Sequence, residues 1–131
     1  MTLLDTHAWM WWVTGDPRLS KRARTATERA AGDADVAISA ISIWEVAKKV
    51  EKGQLELDRP LNDWLDAALA IEGLQVLELT RKVLVESCGL PRPFHGDPAD
   101  QIIVATARTR AATLVTADTR IRGYGHVHTV W

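Results

Sequence analysis

The chain has too little cysteine and too little net charge to fit several common classes of protein. Its 131 residues include a single cysteine, Cys88, which excludes an internal disulfide framework and favours a reducing compartment. The formal net charge is -1 and the sequence pI is about 6.4, so no global basic field attracts nucleic acid. Any contact with nucleic acid must therefore be local.

Long apolar runs and glycine-rich phosphate loops are also missing. No stretch approaches the roughly 20 apolar residues that span a bilayer. The apolar segment 1–13 is interrupted by Asp5 and His7 and has no preceding Lys or Arg, unlike a secretory signal. We therefore expect a cytoplasmic protein with no membrane contact. Dinucleotide-binding and Walker A glycine patterns do not occur, and Cys88 lacks the partner thiols of a zinc or redox motif.

What is present is enough apolar sequence for one folded domain. The hydrophobic content of 47% can build a core at this length, so we predict a single domain over 1–131. Short apolar runs predict strands over 2–4, 36–38, 75–79, 113–116 and 126–130. Helical patterns with recognisable caps predict helices over 20–31, 40–52, 60–72, 80–87 and 98–109. This alternation predicts an α/β fold with a mainly parallel sheet between two layers of helices.

Acidic residues stand at the ends of two predicted strands and within two predicted helices. Asp5 ends the first strand and Asp118 follows the fourth, whereas Glu45 and Asp100 lie on helices. The carboxyl ends of parallel strands meet at one sheet edge, where such folds bind ligands. Clustered carboxylates repel one another unless they are neutralised, and Mg²⁺ or Mn²⁺ prefers oxygen ligands. The pattern therefore predicts a divalent metal site and metal-dependent phosphoryl chemistry.

Each acid also has an ordinary structural explanation. Asp5 and Asp118 could cap a turn or helix, and Asp97 is placed to cap the helix that follows it. Glu45 could form a surface ion pair with Lys49, four residues further along. Its apolar neighbours favour a functional carboxylate instead, because a charge beside a packed face needs a cation or hydrogen bonds.

Histidine and tryptophan have weaker assignments. His95 is close in sequence to Asp97 and Asp100 and could orient a substrate. His126 and His128 share a predicted strand face, but two histidines there are more often an exposed edge than a transition-metal site. Six tryptophans indicate core packing first, and a surplus could line a partner groove.

Four ordered sequence blocks span nearly the whole chain. They read Leu-Leu-Asp-Thr-His at 3–7, Ile-Ser-Ala-Ile-Ser-Ile-Trp-Glu at 38–45, His-Gly-Asp-Pro-Ala-Asp at 95–100 and Leu-Val-Thr-Ala-Asp at 114–118. Together the blocks resemble PIN-domain nucleases, specifically the toxin subunits of VapBC toxin-antitoxin systems. Four blocks at suitable spacing are far more specific than any single acid.

The resemblance implies a PIN-domain fold with strand order 3-2-1-4-5 and a Mg²⁺ or Mn²⁺ site. The positions that match the family's acidic residues, and so its catalytic metal ligands, are Asp5, Glu45, Asp100 and Asp118. The accessory positions are Asp97, Thr6, Thr116 and His95. Gln101 stands where many similar sequences have an arginine. The residues that bind RNA are not identified by the resemblance.

The activity implied is a metal-dependent endoribonuclease that hydrolyses RNA phosphodiester bonds. A cognate VapB-like antitoxin would neutralise it, and a homodimer formed through helices is implied. Two alternatives stay open, a noncatalytic PIN-like interaction protein and a metal-dependent phosphatase. The phosphatase usually needs a second acid two residues after the nucleophilic one, whereas Asp5 is followed by Thr6 and His7.

Overall fold

A computed structural model describes residues 1–131 and contains a five-stranded parallel sheet. The strands are β1 (Thr2–Leu4), β2 (Val36–Ser39), β3 (Leu74–Leu77), β4 (Thr113–Val115) and β5 (Thr129–Val130). Their order across the sheet is β3-β2-β1-β4-β5, and every neighbouring pair is parallel. The predicted fold class and strand order are confirmed.

Seven helices connect and cover the strands. They are α1 (Thr6–Thr14), α2 (Lys21–Gly32), α3 (Ala40–Glu51), α4 (Leu61–Leu69), α5 (Arg81–Cys88), α6 (Pro98–Thr109) and α7 (Thr119–Arg122). Side chains of Ser20 and Thr80 cap α2 and α5, as predicted, by accepting hydrogen bonds from backbone N–H groups. No helix is long and apolar enough to cross a membrane.

The core has two parts, one on each face of the sheet. Leu3 belongs to a cluster that includes Ile103 on α6, whereas Leu4 belongs to a cluster that includes Trp9 on α1. Consecutive strand residues point to opposite faces, so adjacent leucines contribute to different layers. Trp9 packs on Trp64 with ring centroids 5.4 Å apart, which confirms the core-packing interpretation for these two tryptophans.

Two predicted boundaries are wrong by three residues, and the others agree within two. The last strand is two residues long and excludes His126 and His128, so the alternation over 126–130 overestimated it. The helix predicted over 60–72 ends at Leu69. The chain then passes so close to α2 that a Cβ on Gly73 would lie 2.2 Å from the Ala31 carbonyl oxygen, and Gly73 has φ +86°. The chain turns over residues 71–74 instead of continuing the helix, with the Leu74 N–H donating to the Ile71 carbonyl at 3.2 Å, and Gly73 supplies the positive φ of this turn.

Candidate metal centre

The carboxyl ends of the central strands position Asp5 at one edge of the sheet. β1 lies between β2 and β4, and all three strands run parallel. Asp5 follows β1 and caps α1, accepting a hydrogen bond from the Thr6 N–H at 2.8 Å. Its other carboxylate oxygen accepts from the Thr116 hydroxyl at 2.7 Å, directly after β4. Asp5 is only 3% exposed, so this is a buried carboxylate that accepts from two neutral donors, and His7 Nδ1 lies 3.6 Å from its Oδ2.

Glu45 reaches the same edge from α3. The Thr6 hydroxyl donates to Glu45 Oε1, and the Ser42 hydroxyl, one turn earlier on α3, lies 2.8 Å from the Thr6 oxygen. Since Thr6 has one hydroxyl proton, Ser42 is the donor in the second bond. Burial raises the pKa of Glu45, as do the charges of Asp5 and Asp100, while the Thr6 bond acts in the opposite direction.

The predicted alternative for Glu45, a surface ion pair with Lys49, is wrong. Glu45 has no salt bridge to Lys49, although the lysine charge still favours the ionised carboxylate from a distance. The side chain turns toward the sheet edge because α1 presents the Thr6 hydroxyl there. The carboxylate therefore has a fixed position inside the fold instead of a mobile one on its surface.

Asp100 lies in the first turn of α6 and faces the open side of the same edge. His95 Nε2 is 2.7 Å from Asp100 Oδ2. Asp97 caps the helix by accepting from the Asp100 N–H at 3.0 Å, which confirms the capping interpretation. Burial is the main reason why the pKa of Asp100 is raised, and the Asp5 and Asp97 carboxylates add to it, while the His95 bond lowers it.

Asp118 follows β4 and caps the short helix α7. It accepts from the Arg120 N–H at 2.8 Å, and the Arg120 guanidinium lies 3.1 Å from its Oδ2. The same guanidinium is 3.7 Å from Asp100 Oδ2. Burial raises the pKa of Asp118, but the hydrogen bonds from Arg120 outweigh it and leave the pKa lowered. Asp118 is thus both a cap and a member of the acidic cluster.

His95, Asp100 and Asp118 form the group whose donor atoms could bind one hard divalent cation, and Asp5 and Glu45 lie beside this group without belonging to it. Ligand atoms of His95, Asp100 and Asp118 lie within 4.8 Å of one another. Asp5 is close enough to raise the pKa of both Asp100 and Glu45. Carboxylate oxygens with at most one imidazole suit Mg²⁺ or Mn²⁺. Burial, and then repulsion between the acids, raises the pKa of Glu45 and Asp100, and a bound cation would favour their charged forms.

Comparison with known proteins agrees with this geometry. The sequence profile of the PIN domain matches residues 2–127. The chain belongs to the PIN domain family. It is 37% identical over 131 residues to Ribonuclease VapC22 of Mycobacterium tuberculosis (strain ATCC 25618 / H37Rv), with 98% of this chain and 97% of that protein covered.

Solved structures share the fold at lower identity. VapBC2 from Rickettsia felis, bound to a DNA fragment from its promoter, superposes with a TM-score of 0.74 at 20% identity, covering 98% of this chain and 96% of that one. A toxin-antitoxin complex from Klebsiella pneumoniae gives a TM-score of 0.67 at 20% identity, covering 100% and 97%. The PIN-domain fold therefore extends over essentially the whole chain.

Several residues that support the PIN-domain acids were missed by sequence reasoning. Ser42 could have been found, because it lies three residues before Glu45 on one helix face. His7 Nε2 accepts from the Ala117 N–H at 3.0 Å and links α1 to the loop before Asp118, a contact with no local signal. The Gln101 side chain donates to the His95 carbonyl at 3.0 Å and so holds the loop that carries this histidine.

Proposed function

We propose that this PIN-domain protein is a metal-dependent endoribonuclease of the VapC toxin type. The observation that carries the proposal is the set of four acids, Asp5, Glu45, Asp100 and Asp118, at the carboxyl edge of the sheet. Full-length similarity to a protein named as a ribonuclease supports RNA as the substrate. The four acids would hold Mg²⁺ or Mn²⁺, which supplies Lewis acidity and lowers the pKa of a water molecule.

The protein's own residues preorganise this site. The buried Asp5 and half-buried Glu45 carboxylates have fixed orientations, because hydroxyl groups of Thr116 and Thr6 donate to them. Fixed acceptors do not have to reorganise when charge develops during the reaction. On the open side Arg120 is exposed and lies beside two acids, where its guanidinium can pair with a phosphate oxygen of the substrate.

A protein partner forms part of the proposal. The similar folds include toxins solved together with antitoxins. We expect a VapB-like antitoxin to neutralise this chain and a homodimer to be its assembled form. Both expectations can be measured by co-purification and by the mass of the isolated chain in solution.

The decisive experiment is cleavage of RNA by the purified chain without antitoxin. A mixed RNA pool is incubated with Mg²⁺ or Mn²⁺, beside an EDTA control and the Asp100→Asn variant. We expect discrete fragments that require metal and disappear in the variant. The absence of metal-dependent fragments from every RNA supplied would contradict the nuclease proposal. Phosphate release from monoesters without RNA cleavage would favour the phosphatase, and metal binding alone would favour the noncatalytic protein.

A further inference from the structure

A pocket lined by aromatic and basic side chains opens beside the acidic cluster. Its volume is about 450 Å³, and we call it the aromatic-basic pocket. The side chains that define it are Arg92, Phe94, His95, Arg120, Tyr124 and His126. It adjoins the candidate metal centre directly, because His95 contacts Asp100 and Arg120 contacts Asp118. A molecule whose phosphate lies at the candidate metal centre can therefore extend directly into this pocket.

Three aromatic rings contact one another in series in the pocket, with interplanar angles of 57° and 56°. The centroids of Phe94 and Tyr124 are 4.7 Å apart, and those of Tyr124 and His126 are 5.2 Å apart. Tyr124 is buried, Phe94 is half-buried and His126 is exposed, so the outer rings remain available to a ligand. Nucleobases stack on such rings, and the interaction tolerates different bases because every base has a π face.

The two loops that form the pocket are fixed to each other and to the core. The Tyr124 hydroxyl donates to the Pro91 carbonyl at 2.5 Å, which joins the loops at 91–95 and 123–126. Arg108 on α6 donates to the His126 carbonyl at 2.7 Å and is itself paired with Glu86 at 3.0 Å. The aromatic surface is thus formed before a ligand arrives, which lowers the entropic cost of binding.

The charge of the pocket is opposite to that of the adjacent acids. Its lining contains Arg92 and Arg120 and no aspartate or glutamate. Arginine next to an aromatic surface is the combination that proteins use for the phosphates and bases of single-stranded nucleic acid. Arg120 is paired with Asp118 and Asp100, whereas Arg92 has no salt bridge, so Arg92 supplies the local basic group that the nearly neutral chain requires.

We propose that the aromatic-basic pocket binds the nucleotide adjacent to the scissile phosphate of single-stranded RNA. The base stacks on His126, the exposed ring of the three, and Arg92 pairs with the phosphate beyond it. This assignment rests on the proposed ribonuclease function and adds to it the residues that position the substrate. It also predicts that cleavage requires an unpaired nucleotide at this position, because a base stacked within a duplex cannot enter the pocket.

The first test measures RNA binding without cleavage. Arg92→Ala and His126→Ala are made in an Asp5→Asn background, since Asp5 does not line the pocket. Their exposed side chains can be removed without disturbing the core, and the Arg108 bond to residue 126 uses the backbone. A fluorescein-labelled, mixed-sequence single-stranded RNA of about ten nucleotides is titrated by anisotropy in Mg²⁺. We expect each variant to bind roughly tenfold more weakly than the background protein.

Matched controls separate the pocket from general surface charge. Arg122→Ala and His128→Ala remove an exposed arginine and histidine that lie close in sequence but do not line this pocket. We expect them to change RNA affinity less than about twofold. Equal weakening by the controls, or unchanged binding of both pocket variants, would overturn the assignment.

The second test examines the stacked base itself. In an RNA that the wild-type protein cleaves, nucleotides around the cleavage site are replaced one at a time by abasic residues. At one adjacent position we expect KM to rise roughly tenfold in the wild-type protein and little further in His126→Ala. If the effects of the abasic residue and of His126→Ala on KM are additive at every position, the pocket assignment is overturned, but the proposed nuclease activity is not. If no RNA is cleaved but the pocket variants still lose RNA binding, the pocket is an RNA-binding site, while the proposed activity and the placement beside a scissile phosphate both fall.

Discussion

The acidic cluster has a buried half, formed by the buried Asp5 and the half-buried Glu45, and an open half, formed by Asp100 and Asp118 beside the exposed Arg120, and the two halves differ in the partners that hold the carboxylates. Asp5 and Glu45 are held by the hydroxyl groups of Thr116 and Thr6, which carry no charge. On the open side Asp100 contacts His95, and Asp118 contacts a guanidinium. The buried half thus has no basic partner within hydrogen-bond distance, since His7 Nδ1 is 3.6 Å from Asp5, whereas both acids of the open half have one.

This difference indicates a division of roles within one site. Neutral donors orient a carboxylate without cancelling its charge, so the buried half retains its attraction for a cation. A basic partner on the exposed side can release its carboxylate and bind a phosphate oxygen instead. The four predictions below test this division, beginning with the largest effect.

Removing one carboxylate from either half should abolish cleavage. For Asp5→Asn and Asp100→Asn we expect a loss of more than about a hundredfold, since even residues that orient metal ligands contribute about ten- to hundredfold. The fold should survive because the exchange changes charge but little volume. Single-turnover cleavage and circular dichroism measure both properties. Asp66→Asn, an exposed carboxylate on α4, is the control, and unchanged turnover in either site variant would refute the assignment.

Removing a neutral donor from the buried half should have the next largest effect. Thr116→Val deletes the hydroxyl that donates to Asp5 and accepts from the Asp118 N–H at 3.1 Å, and it preserves the side-chain volume. We expect roughly ten- to hundredfold lower kcat. Thr116→Ser retains the hydroxyl and should recover most of the activity. Equal activity of the valine and serine variants would show that orientation of Asp5 is unimportant.

Removing the basic partner from the open half should strengthen metal binding. The Arg120 guanidinium competes with a cation for Asp100 and Asp118, so Arg120→Gln should bind Mn²⁺ roughly two- to fivefold more tightly, measured by calorimetry. Arg122→Gln is the control, since that exposed residue has no salt bridge. RNA affinity should fall in the same Arg120 variant. Weaker Mn²⁺ binding in it would contradict a competing role.

The smallest expected effect concerns stability without metal. A carboxyl group with a pKa raised by burial binds its proton more tightly in the folded state, so its charged form destabilises the fold as pH rises through that pKa. Glu45→Gln should therefore raise the Tm of the metal-free protein at pH 7. Each kcal/mol gained in the free energy of unfolding should raise the Tm by about 3–5 °C. The gain should vanish on acidification, where Glu45 becomes neutral. A lower Tm of the metal-free Glu45→Gln variant at pH 7 would contradict this prediction.

Sequence alone could predict features that depend on local pattern and on parallel topology. Ser20, Thr80 and Asp97 are helix caps because their short polar side chains precede helical patterns, and all three caps are present. Asp5 and Asp118 approach the same edge because parallel strands share one direction.

Contacts between distant loops could not be predicted in this way. The aromatic-basic pocket depends on a hydrogen bond between Tyr124 and Pro91, whose loops carry no periodic pattern. The bond from His7 to the Ala117 N–H likewise joins two elements that are far apart in the chain. The hydrogen bond from the Thr6 hydroxyl determines where the Glu45 side chain points. The spacing between Glu45 and Lys49 in the sequence could not reveal this orientation.

The most direct test of the central claim is to locate a bound cation by anomalous scattering from crystals grown with millimolar Mn²⁺. The account predicts a peak at the carboxyl edge of the sheet, about 2.0–2.6 Å from carboxylate oxygens of both Asp5 and Asp100. Such a peak would join the buried and open halves in one site. No peak there, or an ion held by His95 and Asp118 without Asp5, would contradict it.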